Sequence, residues 1–198
     1  MIIRKILFAS AATLAVCWPS VAVAQHETTG WEWTRASSPN GVYSVDLPCN
    51  SDEISTDIPA MPNRAVYDAG SAIVCIKDGW YMTAGVVTAP RGSLEASGIP
   101  NLFDNIVERF GRLATSQPSQ FSDSYWTSVS GRRAFVTWGS NDEVRTQNGI
   151  IELGADAYVH YNIFALTSRG ADFEAVPNAI ERFSNTFRVA EDVLADGA

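Results

Sequence analysis

The sequence predicts an α+β fold: a single antiparallel β-sheet flanked by two or three helices, an α/β/α sandwich. Three observations lead there. Runs of alternating or doubly apolar residues recur through both halves of the chain, and a period of two is that of a strand. The connections between them are short, which favours antiparallel neighbours, since a parallel pair needs a crossover of about a dozen residues. Two segments, one central and one near the end, switch to apolar residues three and four apart, the stripe of an amphipathic helix.

The first expected strand is Val42–Leu47, with Tyr43, Val45 and Leu47 on one face and Ser44 and Asp46 on the other. Pro48 ends it, because proline cannot donate into a central ladder. Asn50–Asn63 reads as a loop. Strands are then expected at Arg64–Asp68, Ser71–Lys77 and Trp80–Thr88. Asp78-Gly79 is a two-residue hairpin signal, since glycine takes positive φ freely. Ser71–Lys77 is apolar on both faces, which predicts a central strand. In "PNLFDNIVERFGRLA", Leu102, Phe103, Ile106, Val107, Phe110 and Leu113 form a helical stripe, with Asn101 placed to cap it and Glu108 and Arg112 at i,i+4.

The second half returns to strands at Tyr125–Ser130, Arg133–Trp138, Val144–Leu153 and Ala157–Leu166. The last of these is apolar or aromatic on both faces and is expected to be central. Phe173, Val176, Ile180 and Phe183 make a second stripe, whose main helix starts near Pro177 because proline suits only a first turn. Phe187 and Val189 form a last short strand.

The chain has 198 residues and opens with "MIIRKILFASAATLAVCWPSVAVAQ". Arg4 and Lys5 precede the apolar run Ile6–Val16, and Ala22-Val23-Ala24 offers the small residues that signal peptidase needs. The expected organisation is a signal peptide over 1–24, a flexible N-terminal segment over 25–40, a single α+β domain over 41–190 and a polar tail over 191–198. An uncleaved anchor is the alternative at the N-terminus. "LAVC", Leu14–Cys17, resembles a bacterial lipobox, but Val16 is bulkier than the small residue normally found before the lipid-bearing cysteine. Lipidation at Cys17 is therefore a minor alternative that would tether the protein to a membrane. No second apolar run is long enough to span a bilayer, so no insertion is expected after signal removal.

Lys and Arg number 14 against 22 Asp and Glu, a formal charge of −8. Loss of Arg4 and Lys5 with the signal makes the mature chain more acidic still. Such a surface repels phosphate backbones and anionic lipid, which argues against nucleic acid as a partner; its simplest role is solubility.

Of three cysteines, Cys17 leaves with the signal. Cys49 and Cys75 remain, and an even pair in an exported chain reads as a disulfide. Neither a metal nor a cofactor is expected. Structural zinc needs four closely arranged ligands, and only His26 and His160 could join the cysteines. The disulfide implies an oxidising compartment, the periplasm or the exterior.

"W…SPNGVYSVDLPC", the central amphipathic helix, and a closing Pro177, Ala179, Arg182, Phe183, Phe187 pattern together resemble small exported domains of the PsbP-like type. The resemblance covers most of the mature chain and implies an antiparallel sheet between helices. It also implies a non-enzymatic role in binding or assembly, and it carries over no catalytic residue.

The residues with candidate chemistry are few. His160 shares a strand face with Tyr158, Asn162 and Phe164, and would serve as a general base only with an orienting carboxylate. Asp156 is near in sequence but lies at a turn. The plainer role is a hydrogen-bonded core histidine. Trp31 and Trp33 stand two apart, so both rings point one way if extended: a binding platform or, more simply, an edge covering the core. His26 near a mature N-terminus offers only weak copper chelation, and Arg132-Arg133 offers an anion site or a solvated turn. Asp52-Glu53 and Asp142-Glu143 are sequence neighbours, which in a strand would point to opposite faces and give no acid–base pair.

The expectation is an exported periplasmic, non-enzymatic interaction or assembly module of the cell envelope, with an envelope protein as partner. A small apolar or aromatic ligand-binding protein, contacting its ligand through His160, Tyr158, Trp31 and Trp33, is the alternative. A hydrolase using His160 is the second.

Overall fold

A computed structural model describes residues 31–56, 67–90, 92–116, 123–174 and 178–191, with the side chains of the central helix described to residue 112. In chain order the elements are β1 (Thr34–Ser37), β2 (Tyr43–Leu47), β3 (Ile73–Lys77), β4 (Trp80–Thr88), α1 (Ser93–Ser97), α2 (Leu102–Ser116), β5 (Asp123–Val129), β6 (Arg132–Ser140), β7 (Val144–Glu152), β8 (Ala157–Leu166), α3 (Ala179–Thr186) and β9 (Arg188–Val189).

The single sheet of an α/β/α sandwich does not form. The fold is mostly β and holds two antiparallel sheets, a small one ordered β1-β2-β9 and a large one ordered β3-β4-β8-β7-β6-β5. The reason is physical. Alternation fixes which face of a strand is buried, but leaves open which strand it pairs with. β2 pairs with β1 on one side and with the closing β9 on the other, Tyr43 opposite Val189. The two ends of the domain thus build a separate small sheet. Residues 34–37, assigned above to a flexible segment, are its first strand.

The small sheet and α3 cover one face of the large sheet. Tyr43, Val45 and Leu47 of β2 and Phe183 of α3 pack there with Met82, Ala84, Val159, Tyr161 and Ile163. Phe187 joins this layer; its ring lies 5.3 Å from that of Tyr43 and 5.4 Å from that of Tyr161. Tyr161 lies so close over Gly149 that a Cβ there would sit 2.0 Å from its ring. The opposite face carries a smaller core of Phe103 and Val107 from α2 against Phe135, Ile150 and Tyr158. Asn101 caps α2, its side-chain oxygen accepting from the Asp104 N–H at 3.1 Å.

β8 lies inside the large sheet, as its two apolar faces suggest. β3 does not: it is an edge strand. Ile73, Val74 and Cys75 are buried from outside the sheet while Ile76 is 47% exposed, and Ser55 bridges the outer side at Val74 by exchanging two backbone hydrogen bonds with it, at 2.8 and 2.9 Å. Of the strand expected at Arg64–Asp68, residues 64–66 lie outside the described residues; Tyr67 and Asp68 are not strand. The tail beyond residue 191, the segment 1–30 and Pro177 also lie outside them.

Cys49 and Cys75 are bonded, with Cα atoms 5.9 Å apart and both side chains buried. The bond joins the exit of β2 to edge strand β3, so it links the two sheets. Its separation of 26 residues corresponds to about 3.5 kcal/mol of denatured-state entropy in the chain-entropy model. The double variant Cys49→Ala/Cys75→Ala is therefore expected to keep its circular dichroism spectrum and lose stability on that order in urea. A thiol assay on the unfolded, unreduced mature chain is expected to find no free cysteine; two titratable thiols would contradict the bond.

Candidate functional site

His160 sits mid-way along β8, opposite Gly85 of β4 and Ile150 of β7, on the face that α2 covers. Gly85 is what admits its partner. Tyr67 lies flat on that glycine, where an added Cβ would come within 2.4 Å of the ring. From there the Tyr67 hydroxyl reaches the His160 Nδ1 at 3.0 Å. The Phe110 ring of α2 stands 5.8 Å from the imidazole on another side.

Burial pushes the His160 pKa down to about 4 and that of Tyr67 up to about 12, so both are neutral at pH 7. The Thr83 hydroxyl, bonded to the phenol oxygen, holds the Tyr67 pKa down against that burial. The network then runs from Thr83 to Tyr67 to the His160 Nδ1 and leaves the other ring nitrogen, Nε2, outside it. That atom is buried and has no hydrogen-bond partner among the described residues.

A second polar feature crosses the same face. Thr83, Asn162, Asn148 and Thr137 stand side by side in register on β4, β8, β7 and β6. All but Asn162 are buried. Asn162 donates to Asn148, while the Thr137 hydroxyl has no partner among the described residues. Tyr67, Thr83, Asn148 and Thr137 were not singled out in the sequence. The only signal for the row is a polar residue at one register position on each of four strands, which is visible only once the pairing is known.

The four weak candidates for ligand contact fall in two places. Tyr158 and His160 lie beneath α2. Trp31 and Trp33 lie in the other layer, against the core of the small sheet. Trp31 packs edge-on to Trp80 with centroids 6.0 Å apart and donates to Asp78 at 2.9 Å. Trp33 carries the Arg182 guanidinium 4.6 Å above its ring. Arg132 and Arg133 are also engaged. Arg132 donates to the carbonyls of Leu153 and Ala190; Arg133 grips Glu152 with two nitrogens at 2.7 and 2.8 Å and meets Asp104 at 3.2 Å. The Arg133 guanidinium holds the Glu152 carboxyl below its usual range.

Chemically, the His160 site is a neutral hydrogen-bonded relay. Asp156 lies four residues away along the chain, about 13 Å at strand rise, and its backbone carbonyl bonds the Ala89 N–H. Among the described residues no three of His, Cys, Asp and Glu are grouped to hold a metal ion. No described helix is long and apolar enough to cross a membrane. An open pocket of about 510 Å³, lined by Leu94 of α1 and by flanking residues including Pro90, Ile99 and Asp156, does not include the histidine.

The unfolded chain binds a proton at this imidazole below about pH 6.5, and the folded chain only below about pH 4. Protons thus favour the unfolded state in that window. Stability is expected to fall as pH drops from about 6.5 to about 4, with His160 contributing on the order of 3 kcal/mol of the loss. His160→Phe is expected to remove that share of the slope in urea titrations, and the wild-type His160 Cε1–H resonance should show no inflection between about pH 5 and pH 8. An inflection near the ordinary histidine pKa would show a solvated ring and contradict the relay.

No family model matches the chain, and no curated protein matches it. Two solved structures are similar in part. One, from Bacteroides thetaiotaomicron, aligns over 80% of this chain at 6% identity with a TM-score of 0.42; this chain spans about half, 48%, of its length. The other is LpqN of Mycobacterium tuberculosis, described as involved in cell envelope biogenesis. It aligns over 80% of this chain and 91% of its own at 12% identity, with a TM-score of 0.42. At these values neither likeness assigns a family or a role.

Proposed function

We propose that the chain acts outside the cytoplasm as a non-enzymatic binding module of the cell envelope, and that it engages another protein through the aromatic end of its large sheet. The observation that carries this reading is the exposure of Trp126, Tyr125 and Trp138 at 56%, 43% and 38% on edge strand β5 and its neighbour β6. The other described tryptophans, Trp31, Trp33 and Trp80, pack on the core. Register puts Tyr125 and Trp138 on one face, and Trp126 on the other beside Phe103 and Phe135. Clustered exposed aromatics are costly to leave in water and are enriched where proteins meet.

The compartment follows from two supports, the signal-like N-terminus and the disulfide. The hydrolase reading has little to stand on, since the His160 ring is buried and neutral and its described polar partner is a phenol. The ligand reading is also weakened, because its four candidate residues lie in two separate layers.

Crosslinking in intact cells followed by pull-down tests the proposal. A specific envelope protein is expected with the wild type. Recovery should fall roughly tenfold or more with Trp126→Ser/Trp138→Ser, the scale of losing an interface hot spot. Undiminished recovery with a folded double variant would sink the assignment of the surface.

A further inference from the structure

We infer that β5 is an open sheet edge at which a second copy of this chain pairs, antiparallel and about a twofold axis at Trp126. The inference rests on the reading of this end as a binding surface and names one occupant of it.

The two edges of the large sheet are treated differently. β3 is bridged on its outer side at Val74 by Ser55 and tied down by the disulfide. β5 is exposed along nearly its whole length, and among the described residues no strand pairs with its outer side. Its sequence, DSYWTSV, holds neither lysine nor proline, the residues that commonly blunt a free edge. Its one charge is Asp123.

The turn decides which backbone groups are free. Ser130 and Gly131 both have positive φ, 50° and 77°, and Val129 pairs with Arg132 across them. This two-residue loop makes Val129 and Arg132 a hydrogen-bonded pair. Asp123, Tyr125, Thr127 and Val129 therefore direct their N–H and C=O groups to β6. Ser124, Trp126 and Ser128 direct theirs outward, and the Ser124 N–H there is held at 2.7 Å by the Asp123 carboxylate.

A second β5 placed antiparallel with Trp126 on the axis satisfies the outward groups of Trp126 and Ser128 and replaces the local bond from the Ser124 N–H to Asp123. Ser124 pairs with Ser128 of the other copy and Trp126 with its own equivalent, each pair exchanging both backbone bonds. The remaining positions are complementary. Tyr125 faces Thr127, an aromatic against a β-branched residue. Asp123, the one charge on the strand, faces the apolar Val129 of the second copy rather than its own equivalent. No like charges meet. Pairing also sets Tyr125 and Trp138 of both copies on one continuous face.

Sedimentation velocity on the exported chain, from about 1 μM to about 500 μM, tests this. The mass is expected to rise from monomer to dimer. Ser128→Pro removes an outward N–H at a position where an edge tolerates proline, and should raise the dissociation constant tenfold or more. If that variant does not fold, Ser124→Lys/Ser128→Lys places like charges opposite each other and should do the same. Trp126→Cys should oxidise to a linked dimer, because the twofold pair brings its Cα atoms to about 5.5 Å; Tyr125→Cys should not. A monomer at every concentration overturns the inference, even where another protein is still captured through the aromatic residues. A dimer indifferent to these changes lies elsewhere and overturns it too. A dimer that behaves as described while no other protein is captured would instead remove the reading of an envelope partner.

Discussion

The stacking of the small sheet on the large one, through Tyr43, Phe187 and Tyr161, is the contact on which the rest of the molecule depends. Tyr161 reaches this layer only because Gly149 beside it has no side chain. Tyr43 completes it from the other sheet, its buried hydroxyl within 2.8 Å of the Ser71 carbonyl and 2.7 Å of the Ala84 carbonyl. These bonds let a polar atom enter a dry interface without the penalty of an unpaired group. Once β2 is fixed in this way, its exit delivers Cys49 to Cys75, and the loop that follows delivers Ser55 to β3. One edge of the large sheet is closed as a consequence of how the sheets pack. The other edge has no such cover, and the exposed aromatics gather there.

The two faces of the large sheet do different work. The face toward the small sheet holds the larger apolar core. The face toward α2 mixes apolar side chains with a row of hydroxyls and amides and with the Tyr67–His160 pair. A neutral histidine there is a structural choice, since charging it would put an ion in a poorly solvated place. Burial of His160 therefore couples its protonation to the stability of the fold.

Much of the local structure was legible in the sequence, and for identifiable reasons. The alternation of Tyr43, Val45 and Leu47, the Asp78-Gly79 turn and the three-and-four stripe of α2 are all short-range signals. The pairing of Cys49 with Cys75 followed from counting and compartment. Sheet membership was not legible, because β2 and β9 look locally like any half-buried strand and their pairing spans nearly the whole domain. The edge position of β3 was missed because Ile73 and Val74 are buried by layers above and below, which imitates a central strand. The exposed end was hidden for a related reason. Tyr125, Trp126 and Trp138 carry no local mark of exposure, and only the strand order leaves β5 without an outer strand among the described residues. Short helix α1 has little apolar periodicity and gave no sequence signal.

The two edges of the large sheet differ in their cover, and amide hydrogen exchange resolved by residue reads that difference most directly. In dilute monomer, the amides of Trp126 and Ser128 should exchange quickly, while those of Tyr125, Thr127 and Val129 beside them, and Val74 on the opposite edge, are protected. Uniform protection along β5 at low concentration would show that the edge is already covered. Uniform loss would show that β5 is not a paired strand. Either result contradicts the open edge described here.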